Sequence, residues 1–238
     1  MNNRYISLLS GIAFFIASVL TVSAETESNN FVNSDRAAES KQSFYFTAFL
    51  DDDPIGYHYF DVTQSDNRIT TIVSEAEFDI KFLFMTVYRY KHNNIEVWND
   101  YCLTSMNAVT DDNGDNLKVT LSPSETGVVI ETQKNSTVAE SCVRSFAYWD
   151  PDLIKHNKLL NSQTGELIEI DISYIGSEVI QVKSQAVLSE RFQISGKDKQ
   201  GLDIEIDLWY SENKQWLALR SKLENGSYLH YRISEREI

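Results

Sequence analysis

The chain has 238 residues, and its 35 acids against 21 lysines and arginines give a formal charge of −14. So acidic a surface makes nucleic acid and anionic membranes poor partners, because both would repel it. Its 12 Phe, 12 Tyr and 4 Trp argue against a disordered chain, since side chains of this kind need a core.

In chain order, the first element is an export signal. Arg4 in "MNNR" supplies the positive start, "ISLLSGIAFFIASVL" the apolar run, and "TVSA" the small residues before a cleavage point after Ala24. The apolar run has 15 residues, short of the roughly 20 that span a bilayer. Residues 1–24 therefore read as a signal peptide rather than an anchor. No second long apolar run follows, so the mature chain is expected to carry no transmembrane segment. Its expected place is the periplasm of a Gram-negative cell. Loss of residues 1–24 removes Arg4 and no acid, taking the charge to −15.

Residues 25–41, "ETESNNFVNSDRAAESK", are polar without a period and read as a flexible leader. From residue 42 to 238 the chain reads as a single β domain. Apolar residues recur every second position in "SFYFTAFL", "IGYHYFDVT", "ITTIVSEAEFDI", "ELIEIDISY", "GLDIEIDLWY" and "SYLHYRI". "DNGD" at 112–115 is a hairpin turn signal. In "WDPDLIKHNKLL", Asp150 is placed to cap and Pro151 to open one short connecting helix. The fold class predicted is all-β, a single antiparallel curved sheet forming a half-barrel or barrel, because 12 to 14 strands are too many for a flat one. "EVWNDYCLTSMNAVTDDNG" and "DLWYSENKQWLALRSKLENG" echo one another, with Trp98 and Trp209 at matching places.

Two cysteines, Cys102 and Cys142, remain after export, and an oxidising compartment favours a disulfide between them. His92 and Glu96 flank a turn expected at "HNN" and are weak candidates for an acid–base pair, with His58 and Tyr90 beside them. No third ligand stands at a fixed local spacing, so no metal site is expected, and no cofactor motif occurs. Asp203, Glu205 and Asp207 form an acidic stripe, read as a solvated face paired with Arg220 and Lys222. "KFLFMTVYRYK" is apolar on both faces of one expected strand. With Trp98, its residues Phe82, Phe84, Met85, Tyr88 and Tyr90 are the candidate lining for a hydrophobic or lipid-like ligand. Two other readings stay open, an envelope adaptor with no small ligand and an enzyme of unrecognised type using His92 and Glu96.

"DDDPIGYHYFDV", "LFMTVYRYKHNNIEVWNDYCL", "SFAYWDPDLIKHNKLLNSQTGE" and "DLWYSENKQWLAL" together resemble a family of exported bacterial proteins with no assigned function. The likeness runs over residues 43–235 and rests on the spacing of Gly56, His92, Glu96, Trp98, Trp149, Gly165, Trp209 and Tyr210. It implies an all-β exported domain and brings no catalytic residues. The general look is also similar to the open half-barrels of periplasmic lipid and lipoprotein carriers, a likeness of fold and not of motif.

Overall fold

The computed structural model describes residues 39–65, 68–82, 85–139 and 142–234. The proposed signal peptide and most of the proposed leader lie outside the described residues. Within them, the period-two alternation becomes strand almost throughout. The first meander holds β1 (Ser40–Leu50), β2 (Asp53–Gln64), β3 (Ile69–Phe82), β4 (Met85–Asn99), β5 (Cys102–Asp112), β6 (Asp115–Ser124), β7 (Gly127–Thr132) and β8 (Ser136–Ala139). The second holds β9 (Lys158–Leu160), β10 (Leu167–Val182), β11 (Gln185–Lys197), β12 (Asp203–Ser211), β13 (Trp216–Lys222) and β14 (Tyr228–Ile233). Between them lies a 3-10 helix, Pro151–Lys155, whose first turn is closed by the Asp150 carboxylate accepting from the Asp152 N–H.

Within each meander the strands pair antiparallel with their chain neighbours, and the two meanders join where β1 meets β14. One fourteen-stranded sheet results, with β8 and β9 at its edges. A sheet so wide accumulates twist from strand to strand and curls. Gly165, between β9 and β10, records the curl. A Cβ there would stand 2.7 Å from Thr132 on β7 and 3.3 Å from Val119 on β6. The β9 end of the sheet is therefore tucked against the inner face of strands from the opposite end.

Alternation decides which side chains fill the curl. On β1, Phe44, Phe46 and Ala48 face inward and are buried, while their neighbours face out. Phe46 meets Trp216 at 4.2 Å between centroids, and Phe60 and Tyr148 meet the same indole at 5.3 and 5.5 Å. Each such ring contributes about 1.5–3 kcal/mol by leaving water. Residues 142–165 run within the curl and are held at several points. Cys142 is disulfide-bonded to Cys102 with 5.0 Å between their Cα atoms. The Val143 carbonyl accepts from the Leu103 N–H, and Ser145 bridges to Leu160 of β9.

Four sequence expectations need correction. "HNN" is not a turn: His92, Asn93 and Asn94 lie inside β4, which runs unbroken from Met85 to Asn99. "KFLFMTVYRYK" is not one strand, because β3 ends at Phe82 and β4 begins at Met85, paired with it. Its outward face is not sandwiched, since Met85 and Val87 are exposed. The echo between the two tryptophan segments breaks at Trp209, which faces outward beside Arg191 and Arg220, whereas Trp98 faces inward. The acidic stripe is solvated only in part. Lys197 pairs with the exposed Asp203, and Lys222 with the half-buried Glu205. Asp207 is buried, each of its oxygens holding one guanidinium, Arg191 on one side and Arg220 on the other. A continuous layer of long side chains thus covers the outer face of β12.

The bond between Cys102 and Cys142 closes a loop 40 residues long and restricts the unfolded chain by about 4 kcal/mol in the chain-entropy account. Cys102→Ser is expected to lower the urea unfolding free energy by up to that amount in oxidising buffer and to match reduced wild-type protein; equal loss in reducing buffer would assign Cys102 a packing role. Gly56 on β2 makes the tightest backbone approach, since a Cβ would stand 1.9 Å from the Glu77 carbonyl oxygen. Gly56→Ala must part β2 from β3, and thermal melts should show a loss of about 1–3 kcal/mol.

Candidate functional site

Cross-strand register gathers the inward side chains of the first meander into rows. One row runs Phe46, His58, Ala76, His92, Thr110 from β1 to β5. The next runs Phe60, Ser74, Asn94, Ala108, and the third Val62, Ile72, Glu96, Met106. A polar belt of His58, Ser74, His92, Thr110, Asn94 and Glu96 thus crosses an otherwise apolar concave face. Opposite it stand Ser145–Trp149 and Asn161–Gln163, and between the two lies a cavity of about 320 Å³.

Glu96 is buried and its carboxylate accepts three hydrogen bonds. Trp98 Nε1 donates at 2.8 Å and Ser145 Oγ at 3.1 Å to Oε2, and Asn94 Nδ2 at 2.9 Å to Oε1. Burial raises its pKa, and the three donors act against that rise. Trp98 in turn stands edge-on to Trp149 with centroids 5.8 Å apart. The carbonyl oxygen of the same Asn94 amide, Oδ1, is buried and has no partner.

The two histidines are held neutral. His92 bonds through Nδ1 to Thr110 Oγ1 at 2.8 Å and through Nε2 to Ser162 Oγ at 3.4 Å, and burial lowers its pKa to about 4. His58 bonds to the Tyr231 hydroxyl at 3.0 Å and to Ser74 Oγ at 3.2 Å. Burial, with His92 nearby, puts its pKa well below the usual value. Tyr90 donates to Gln163 Oε1 at 3.1 Å and Gln163 reaches Asp112 at 3.4 Å, tying the β9–β10 turn to β4 and β5.

Of the residues singled out from sequence, His92, Glu96, Tyr90 and His58 line this one cavity. His92 and Glu96 are four residues apart on one strand, roughly 13 Å along it, and each bonds to other groups. Proton transfer between them would need hydrogen-bond reach, which this spacing does not provide. Trp98 is buried behind Glu96, and Tyr88 is half-buried with its hydroxyl on Asp112 at 2.6 Å. Met85 stands in solvent, outside the cavity. Phe84 and the Phe82 side chain lie outside the described residues. Among the described residues no three of His, Cys, Asp and Glu group as a metal site would require.

Sequence reasoning missed Asn94, Ser74, Ser145 and Gln163. Parity alone would have found Asn94, which shares a face with His92 and Glu96 once the "HNN" turn is withdrawn. Ser145 and Gln163 reach the cavity through an irregular segment that has no period to read.

A family model described as a domain of unknown function, DUF6134, matches residues 46–234, and the chain belongs to that family. No curated protein matches the chain. Among solved structures, the chain is similar to a β-barrel-like protein of a domain of unknown function, DUF1849, from Brucella abortus. That likeness has a TM-score of 0.60 at 8% identity and covers 84% of this chain and 96% of the other. It shows a shared fold.

Buried neutral histidines make stability depend on pH. Both folded and unfolded chains carry neutral imidazole above pH 6.5, while below it the unfolded chain takes up protons that His58 and His92 refuse. Stability present above pH 6.5 is therefore lost as pH falls toward about 4. His92 alone should account for about 2 kcal/mol by pH 5. Glu96 acts with the opposite sign, its folded carboxyl taking a proton before the unfolded one does near 4.5. Glu96 is common to wild-type protein and a His92 variant, so the difference between them isolates the His92 share. Urea unfolding at pH 7.5 and pH 5 should show the loss, reduced by His92→Gln, which keeps polar contacts without the titration. Equal slopes in both proteins would contradict this assignment.

Proposed function

For this DUF6134 member we propose an exported binding protein of the Gram-negative periplasm that holds a hydrophobic or amphipathic small molecule within the curl of its sheet. The signal pattern of residues 1–24 supports export, and the Cys102–Cys142 bond is compatible with an oxidising compartment.

One observation carries the reading: a cavity of about 320 Å³, lined by both aromatic and polar side chains, beside a polar belt with an unpartnered buried oxygen, Asn94 Oδ1. Buried polar atoms left without partners are uncommon in folded proteins, and a ligand group is one way to satisfy this one. The volume is near the lower end of small-molecule sites, which run from about 300 to 1,000 Å³. It favours a compact head and short chain over a whole phospholipid. A second reading, an envelope adaptor, draws on the exposed apolar residues of the β10–β11 hairpin, Tyr174, Ile175, Val179 and Leu188.

Mass spectrometry of organic extracts from protein purified from the periplasm without detergent separates the two. A defined small molecule at near-stoichiometric amount is expected. Ala147→Leu, which extends a buried side chain lining the cavity, should abolish its recovery while circular dichroism stays unchanged. An empty wild-type protein that also ignores offered amphiphiles would move the reading to the adaptor.

A further inference from the structure

We propose that the cavity selects an uncharged head group that donates hydrogen bonds, an amide or alcohol on a short apolar chain, through Asn94 Oδ1 and the open lone pair of Glu96 Oε1. This rests on the binding reading above and specifies its ligand class.

The orientation of the Asn94 amide follows from its neighbour. An ionised carboxylate only accepts, so the Asn94 side toward Glu96 Oε1 must be the NH₂ group, at 2.9 Å. The carbonyl oxygen is then turned away from Glu96, buried and unpartnered. Glu96 itself has room for one more donor. A carboxylate offers about four acceptor sites, and hydrogen bonds fill three of them, two on Oε2 and one on Oε1. The unmet demand at this point of the cavity is for donors.

The groups nearest to Asn94 and Glu96 already have their hydrogen bonds. Both nitrogens of His58 and both of His92 are engaged. The Tyr90 hydroxyl donates to Gln163, and the Ser145 hydroxyl to Glu96. Among the described residues, the one lysine or arginine bordering the cavity is Lys222, which turns to the outer face of the sheet and pairs with Glu205. A fatty carboxylate placed at Asn94 would set its charge against that of Glu96, at a large desolvation cost. An ammonium fits poorly for a different reason. An ammonium brings three N–H donors to a point with two open acceptors, and burial of the kind that keeps His92 uncharged penalises a cation left part-paired. An amide NH₂ or a hydroxyl satisfies Asn94 Oδ1 and Glu96 Oε1 without moving a net charge out of water, while its chain contacts Phe60, Ile72 and Tyr231.

The test compares four head groups on one eight-carbon chain. Octanamide, 1-octanol, octanoate and octylamine are titrated calorimetrically at pH 7.5 into the protein purified without its signal segment and stripped of bound material. Octanamide and octanol should bind about tenfold or more tighter than octanoate, the range expected when buried acceptors gain or lack a donor. Asn94→Leu should erase that preference with its fold verified by circular dichroism, and the wild-type ranking stands as a test even if the variant does not fold. Octanoate or octylamine as the tightest ligand would overturn the head-group assignment and leave the cavity reading intact. A folded Asn94→Leu protein that keeps the preference would overturn the role of Asn94. Failure of all four to bind would overturn the cavity reading together with this one.

Discussion

A carboxylate taken out of water without a cation must be surrounded by donors, and Glu96 meets that demand from three directions. Its donors belong to β4 itself, through Asn94 and Trp98, and to the inner segment, through Ser145. This one group fastens what fills the curl to the sheet that forms it. Nearby contacts work in the same direction. Arg144 is buried, donates to the Tyr101 carbonyl at 2.7 Å, pairs with Asp150 and lies over the Trp98 ring at 5.2 Å. Two residues before Arg144, Cys142 is bonded to Cys102, and the Tyr210 hydroxyl reaches the Tyr148 carbonyl at 2.9 Å. Without these anchors a wide open sheet would have a large concave face and too little to cover it.

The cavity follows from the same constraint. An inner segment held through polar groups cannot close-pack against the strands opposite as an apolar core would, because its donors and acceptors need partners at hydrogen-bond distances. Where the belt of His58, Ser74, His92, Asn94 and Glu96 faces the segment, a space of about 320 Å³ remains, with one oxygen unsatisfied beside it. The aromatic cluster around Trp216 lies next to this space and supplies the apolar packing that the belt does not. Stability and binding thus draw on adjacent parts of one face. The histidines show the coupling: they are neutral because they are buried, and they are buried because the segment covers them.

Much of the fold was legible in the sequence because the signal that specifies a strand is local. Alternation in β1, β3, β12 and β14 marked both the strands and their inward faces, Asn113–Gly114 marked a hairpin, and Asp150–Pro151 marked the one helical turn among the described residues. The disulfide was legible from compartment and count. The site was legible only in part. His92 and Glu96 stood out as polar residues in an apolar pattern, yet two asparagines between them suggested a turn, since asparagine prefers turns. In β4 the tertiary setting overrode that preference: Asn94 is held by Glu96, and its neighbours pair on both sides with β3 and β5. Asp207 pairs with Arg220 as expected, but its burial was missed for a related reason. Its sequence neighbours suggest a wet face, but Arg191 and Arg220 come from adjacent strands and cover it. The inner segment, which completes the cavity, has no period, and only long-range contacts place Ser145 and Gln163.

The central claim is that the space beside Asn94 is a ligand site and not a packing defect. A high-resolution crystal structure of protein purified from its native compartment, without detergent or added amphiphile, tests it most directly. The account predicts continuous density for an organic molecule in the cavity, with a donor atom at about 2.8–3.0 Å from Asn94 Oδ1. Ordered waters alone, satisfying Asn94 Oδ1 and filling the space with no organic density, would contradict it.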